Sequence, residues 1–351
     1  MPAAPEIEVF TADEIAIVEA AWDLGAISAV RPLPRGSATA PKALVVTERG
    51  RFILKRRAPQ RTREEDIGFS HSIQSRLMAH RFPLPRLICA RDGRTFHRAG
   101  EHAYELFQFV QGHRFGQDAA AARAAGFTLA RYHHLLASAM DHLEAVGYPM
   151  RSPTTGQYHD APDFDLRIAR AGAALERASG HEGVLLSRRI ESMYREAAAE
   201  TARMGISAFP VQIIHGDWHP GNMLFRGADV AAVLDHDNAG VGQRIMDIAN
   251  GALQFSLRGK GPPEHWPAEP DRARLRAFMA GLDAGPGGPI SESEIHALPW
   301  LMLQALVFEG VTPVAATGSF AGRPPFGPLL MVERKAGWLR RFVREVIREI
   351  E

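Results

Sequence analysis

The period of the apolar positions divides the chain. Thr11 and Glu14 form a T-x-x-E capping box ahead of "IAIVEAAWDLG", which predicts a short leading helix over 12–24 that Gly25 can end. The spacing then turns to that of strands. "KALVVTERGRFILKRR" carries two β-rich runs, Ala43 to Thr47 and Phe52 to Lys55, joined by a turn at Glu48 to Arg51 where Gly50 can take positive φ. "REEDIGFSHSIQSRLMAHRF" returns to helical spacing through Ile67, Phe69, Ile73, Leu77 and Met78, and "PLPRLI" stops it. "TFHRAGEHAYELFQFVQG" reads as two further strands, the second ended by Gly112. One helix among about five strands, over residues 25 to 110, is an α+β pattern.

Beyond Gly116 the pattern is helical. "DAAAARAAGFTLARYHHLLASAM" and "LLSRRIESMYREAAAETARM" are long, alanine-rich and amphipathic. A Gly- and Pro-rich stretch from Gly259 to Pro289 is interrupted by a predicted helix over Arg272 to Leu282, and "LLMVERKAGWLRRFVREVIREI" reads as one terminal amphipathic helix. The strong strand signals in this half are two apolar runs, Val211 to Ile214 and Val230 to Leu234, within a single stretch, "VQIIHGDWHPGNMLFRGADVAAVLDHDN". The expected organisation is a small sheet lobe, residues 1–110, joined to a larger helical lobe, residues 111–351, with a ligand cleft between them.

Composition narrows the partners. A hydrophobic fraction of 46% and a charged fraction of 23% are those of a soluble globular protein. A net charge of +1 gives no electrostatic reason to bind nucleic acid or membranes, so a small molecule is the expected partner. Cys89 is the one cysteine, which excludes an intrachain disulfide and a cysteine-based zinc site. The start lacks a basic region before an apolar core, and no long uncharged apolar segment stands out, so a cytoplasmic location is expected. Of 41 basic residues only Lys42, Lys55, Lys260 and Lys335 are lysines. Where lysine persists among so many arginines, arginine's shape is the feature to suspect as unsuitable.

Three readings compete for the stretch between the strands. His215, Asp217 and His219 alternate, and Asp235, His236 and Asp237 follow the second apolar run, so a metal hydrolase site is chemically conceivable. Against it, Pro220 and Gly221 imply a loop, and Asn222 has no task in a zinc site. Ordinary polar turns are the second reading. Phosphoryl transfer is the third: it needs a carboxylate to orient a hydroxyl, oxygen ligands for Mg²⁺ and a cation for phosphates. Asp217 and Asn222 are five apart and Asp235 lies thirteen further on, past another strand, which is the order of a kinase catalytic loop and its metal-binding aspartate.

At these residues the chain resembles the aminoglycoside phosphotransferase family, whose relatives include choline kinases, homoserine kinases of the protein-kinase-like type and spore-coat kinase-like proteins. The family loop H-G-D-x-H-x-x-N is matched by His215, Gly216, Asp217, His219 and Asn222, and its I-D-[WF]-[DE] element by Leu234, Asp235, His236 and Asp237. The resemblance implies a bilobal protein-kinase-like fold, ATP or GTP with Mg²⁺, and a small-molecule hydroxyl substrate. It implies Asp217 as catalytic base and Asn222 and Asp235 as metal ligands. His215 would brace the loop, His219 would be structural or near the transferred phosphate, Asp237 would hold metal-bound water or substrate, and Asp247 would hydrogen-bond backbone.

In the small lobe the same order points to Lys55 as the phosphate lysine, since an ammonium is a compact point charge where arginine is a planar fork. A solvated strand-end lysine is the alternative. Gly36, flanked by Ser37, falls where the family has its glycine-rich loop, although an inter-strand turn explains it nearly as well. The backbones of Gln108 and Val110, with Phe107 behind, fall at the adenine hinge. One position departs from the family: Ser70 stands where the helix glutamate that pairs with the lysine is expected. Glu64 and Glu65 are the candidate replacements, or Lys55 lacks this brace; Ser70 and the sparse glycine loop together motivate the rival function, a nucleotide-binding pseudokinase or coat-like interaction protein. His159, Asp160, Asp163, Asp165, Trp300 and Glu309 could receive an amine or lie on a solvated surface. An aminoglycoside, an amino alcohol, homoserine and a sugar are the substrates in view.

Overall fold

A computed structural model describes residues 8–33, 40–145, 147–148, 158–159 and 161–350, apart from the side chains of Gln60 and His142. Helix α1 (Ala12–Ala21) begins at the expected capping box: Thr11 accepts from the Glu14 amide, and Glu14 accepts from that of Thr11. It stops at Ala21, short of Gly25, because Trp22 turns to an extended conformation and buries its indole, whose Nε1 donates to the Ile88 carbonyl. Strands β1 (Ile27–Pro32), β2 (Lys42–Thr47) and β3 (Gly50–Arg56) precede α2 (Glu64–Ala79), and β4 (His97–Ala99) and β5 (His102–Gln108) follow it. They form one antiparallel sheet in the order β1-β2-β3-β5-β4.

Register decides what each face of this sheet does. Cross-strand partners point the same way. Ala43 faces Leu54 and Leu54 faces Leu106; the Val45, Leu54 and Leu106 side is buried against Val18, Ala21 and Trp22 of the α1 region. The opposite side carries Lys42 across from Lys55, and Lys55 across from Glu105. An apolar alternation on one face therefore delivers three charged residues to the other.

The larger lobe comprises α3 (Ala119–Leu136), α4 (Ala139–Ala145), α5 (Phe164–Arg203), β6 (Val211–Ile214), β7 (Met223–Arg226), β8 (Asp229–Val233), β9 (Gly240–Gln243), α6 (Arg244–Ser256), α7 (Arg272–Asp283), α8 (Glu292–Thr317), α9 (Phe326–Arg341) and α10 (Val343–Ile350). The terminal segment expected as one helix is two, broken at Phe342, where φ is −110° and ψ 28°. Short β7 and β9 gave no strand signal of their own; each is completed by pairing, β7 with β8 and β9 with β6. Apart from its charged Glu292, Glu294 and Glu309, α8 is the longest apolar element of this lobe among the described residues. Its 26 residues are long and apolar enough to span a membrane, yet its most apolar window is 78% buried, as befits the central helix of a large core. α3 and α7 pack at very short range: a Cβ on Gly281 would lie 1.9 Å from the Arg123 carbonyl oxygen.

Candidate active site

The β7–β8 hairpin brings the halves of the motif together. Met223 pairs with Val233, and the Leu234 amide donates to the Asn222 carbonyl at 2.8 Å. Asn222 and Asp235 thus leave adjacent strand ends. Asn222 Nδ2 donates to Asp217 Oδ2 at 2.8 Å and to the Asp217 carbonyl at 3.1 Å, so its amide oxygen remains for a ligand. Asp235 adopts left-handed backbone angles, φ 62° and ψ 62°, which cost a non-glycine residue energy and are found where geometry serves a site.

The loop is suspended from Asp247. This carboxylate, 1% exposed at the start of α6, accepts the His215 amide at 2.7 Å and the Gly216 amide at 2.9 Å, and also meets His133 Nε2 at 3.0 Å. His215 is buried, with Nε2 3.2 Å from the Leu234 carbonyl, and burial pushes its pKa down. It packs with Tyr132, Trp218 and His236 in an aromatic cluster under the loop. His219 accepts the Gly221 amide at Nδ1, 2.9 Å, and turns Nε2 to Asp217 Oδ1 at 3.3 Å. These roles account for the histidines without a metal. Among the described residues no three of His, Cys, Asp or Glu are grouped to hold one, so the hydrolase arrangement is not formed.

Asp217 has both oxygens engaged, by His219 and Asn222. Burial raises its pKa, but the His219 hydrogen bond and charge, the His215 charge and the Asn222 amide outweigh burial and hold it below the usual range. His219 shifts the other way: burial lowers it, and Asp217 more than offsets this and raises it. An ionised carboxylate therefore sits at the loop at neutral pH.

Lys55 reaches across the cleft. Its Nζ donates to Asp237 Oδ2 at 2.6 Å and Asp235 Oδ1 at 3.1 Å, and lies 3.8 Å from Glu105 Oε2. Burial alone would depress this ammonium, but the three carboxylates raise its pKa instead. Neither α2 glutamate supplies the brace. Glu64 pairs with Arg94 and Glu65 with Arg63, all exposed, because α2 turns its first acidic turn to solvent. Ser70, facing inward, binds the His236 carbonyl at 3.3 Å. The carboxylate comes from β5: Glu105, fully buried, is held by Arg57 (2.7 and 2.8 Å) and by His71 Nε2 at 2.6 Å. Burial would raise Glu105, but Arg57, Lys55 and His71 lower it strongly. The departure at Ser70 is thus matched by a carboxylate on the neighbouring strand, which removes one of the two motives for the pseudokinase reading; the other, the sparse glycine loop, lies outside the described residues.

Lys42, not singled out as a ligand by motif, lies beside Lys55 and donates to Asp235 Oδ2 at 3.0 Å. The signals that could have exposed these groups were lysine scarcity for Lys42 and one acid inside the apolar strand "AYELF" for Glu105. Arg57, in a run of basic residues, had none. Gly36 and Ser37 lie outside the described residues. At the position expected as the hinge, the Gln108 amide donates to the Arg86 carbonyl at 2.8 Å. Val110 follows just beyond β5, and Phe107 shares the cleft face of the sheet with Lys55 through Ile53 and Glu105.

Of the residues considered for an amine, Asp163 and Asp165 form surface pairs with Arg167 and Arg195. His159 binds Gln304 at 2.9 Å, and Asp160 lies outside the described residues. Trp300 is partly buried on α8. Glu309 alone comes to the catalytic loop. It accepts from Gln254, and burial raises its carboxyl to about 7, with Asp217 adding to the rise and His219 and Asn250 opposing it.

A family model described as the phosphotransferase enzyme family matches residues 29–289. A homoserine kinase of Phenylobacterium zucineum is 28% identical over 293 residues, covering 83% of this chain and 81% of that protein. Among solved structures, a microcompartment-associated aminopropanol kinase superimposes with a TM-score of 0.68 at 15% identity, covering 95% of this chain and 98% of the other. An amicoumacin kinase solved with AMP-PNP, Ca²⁺ and amicoumacin gives a TM-score of 0.66 at 12% identity, covering 97% and 94%. These structures share the bilobal kinase-like fold. With a family model spanning most of its length and the matching catalytic loop intact, the chain belongs to the phosphotransferase enzyme family, the aminoglycoside phosphotransferase-like group its motif resembles.

Proposed function

We propose that this phosphotransferase moves the γ-phosphoryl group of ATP to the hydroxyl of a small amino alcohol of the homoserine type. The observation that carries the reading is the pairing of Asp217 with Asn222 on one side of the cleft, with Lys55 reaching across from the other to the neighbouring Asp235. The nucleotide would lie between residues 1–110 and 111–351, its base against the Gln108 carbonyl and Val110 backbone. Asn222 Oδ1 and the Asp235 carboxylate are oxygen donors of the kind a hard divalent cation takes, so the residues fit Mg²⁺. When bound, the cation neutralises phosphate charge. Gly36 and Ser37 are the backbone candidates for the phosphate loop.

In this mechanism Lys55 holds the α- and β-phosphates. Asp217, ionised and fixed by two hydrogen bonds, accepts the substrate hydroxyl's hydrogen bond and orients its oxygen in line with the γ-phosphorus. The new O–P bond forms as the bond to the ADP oxygen breaks, and the hydroxyl proton passes to Asp217. Because such transfer is largely dissociative, orientation contributes more than deprotonation. His215 and Asp247 hold the loop, His219 orients Asp217, and Asp237 anchors Lys55. Glu309, near Asp217 and His219, would be the group that meets the substrate's ammonium in this reading; the named activity of the P. zucineum relative supports an amino acid alcohol.

The test is ADP release and product mass over a panel containing homoserine, aminopropanol, choline, an aminoglycoside and a sugar. Phosphorylation of homoserine or another amino alcohol, above the remainder, is expected. Turnover confined to the sugar would sink the substrate reading, and no ATP-dependent turnover on any would sink the reading as a whole.

A further inference from the structure

Two of the chain's four lysines stand opposite one another on β2 and β3 and converge on one carboxylate. Lys42 Nζ lies 3.0 Å from Asp235 Oδ2 and Lys55 Nζ 3.1 Å from Asp235 Oδ1. We infer that Lys42 is a second phosphate-binding cation, holding the β,γ-end of the nucleoside triphosphate alongside Lys55. The inference rests on the proposed use of a nucleotide triphosphate at this site.

Charge accounting supports it. Lys55 faces Asp237 at 2.6 Å and Glu105 at 3.8 Å besides Asp235, so it keeps two carboxylates if Asp235 turns to a cation. Lys42 has Asp235 as its one carboxylate partner among the described residues. Taking Asp235 away leaves the Lys42 ammonium in a cleft, 24% exposed against 7% for Lys55, with no anion but the incoming phosphates. An ammonium with three donors on a four-carbon stem can swing from carboxylate to phosphate oxygen without the geometric demand of a guanidinium. The same register that places Lys55 sends Lys42 to the cleft face, since Ala43 and Val45 point into the core.

A purely structural role makes the opposite prediction. If Lys42 only neutralises Asp235 in the ligand-free protein, removing it relieves a competitor for that carboxylate, and Mg²⁺-nucleotide binding stays constant or tightens. The discriminating measurement is equilibrium binding by calorimetry, without turnover, of AMP-PNP with Mg²⁺ and separately of AMP, to the wild type, Lys42→Met and Lys42→Arg. Lys42→Met is expected to weaken AMP-PNP about tenfold, the scale of one lost charge-assisted hydrogen bond. AMP affinity should stay within about twofold, since AMP carries no β,γ-phosphates, and Lys42→Arg should recover part of the loss. Lys260→Met, a lysine outside the site, serves as the composition control, and thermal unfolding checks that each variant is folded. Unchanged or tighter AMP-PNP binding in Lys42→Met, or equal weakening of AMP, overturns the inference while leaving the kinase reading standing. Failure of the wild type to bind AMP-PNP overturns both.

Discussion

Replacing Glu105 by glutamine keeps the volume of a fully buried side chain and removes one charge from between Lys55, Arg57 and His71. In the wild type Oε1 receives Arg57 and His71, and Oε2 has no hydrogen-bond donor but lies 3.8 Å from Lys55 Nζ. Removing one partner of a buried ion pair costs about 3–5 kcal/mol. Arg57 keeps Asp237 at 3.1 Å and Lys55 keeps it at 2.6 Å, which places the loss near the low end, about 3 kcal/mol. At roughly 2 °C per kcal/mol this lowers Tm by about 6 °C. Lys55 then leans wholly on the two aspartates of the loop, and its displacement from the phosphates should reduce kcat/KM by about a hundredfold. Glu64→Gln and Glu65→Gln, at exposed pairs, should change stability by less than about 0.5 kcal/mol and leave kinetics alone.

The pH dependence follows from sign. Glu105 is depressed in the folded chain below its unfolded value of 4.5, so its stabilisation is complete above that value and lost only as pH falls through the lower folded value. The Tm gap between wild type and Glu105→Gln should therefore stay level from about pH 5 to 8 and close only in strong acid. Differential scanning calorimetry and steady-state kinetics read both quantities. Wild-type Tm and kcat/KM in Glu105→Gln, or a larger loss from Glu64→Gln or Glu65→Gln, would refute the assignment of the brace to β5.

Asp217→Asn should cost a factor of about 10² or more in kcat with nucleotide affinity unchanged; near wild-type turnover on an identified substrate would remove it as the base. Glu309, raised by burial to about 7, should bind a cationic amino alcohol better as pH rises through that value, and Glu309→Gln should flatten the pH profile of KM. Its folded pKa exceeds its unfolded one, so its contribution to stability is full below the usual carboxylate range and falls as pH rises through about 7; Glu309→Gln should lose that decline, and a decline that persists would reassign it. Gly281→Ala would set a methyl 1.9 Å from the Arg123 carbonyl oxygen, forcing α3 and α7 apart at a cost of about 1–3 kcal/mol, and an unchanged unfolding midpoint would contradict that packing.

Local patterns account for much of what is seen. The capping box at Thr11, the β2–β3 turn and the amphipathic helices are encoded by residues within a few positions of one another, and the spacing of Asp217, Asn222 and Asp235 carries the order of the catalytic loop. Periodicity was weakest where tertiary pairing completes an element: β7 and β9 are short and need partners, and Phe342 breaks what reads as one terminal helix.

By itself, then, the amino-acid sequence determined which residue types stand ready for phosphoryl transfer and in what order along the chain. Only the tertiary structure decided which carboxylate faces Lys55, because a buried charge is chosen by register and burial across distant segments. Glu105 is fifty residues from Lys55 in the chain and directly opposite it in the sheet. The same register puts Lys42 on Asp235, 193 residues away. The packing of α2 sends Glu64 and Glu65 outward, since its apolar stripe must face the core.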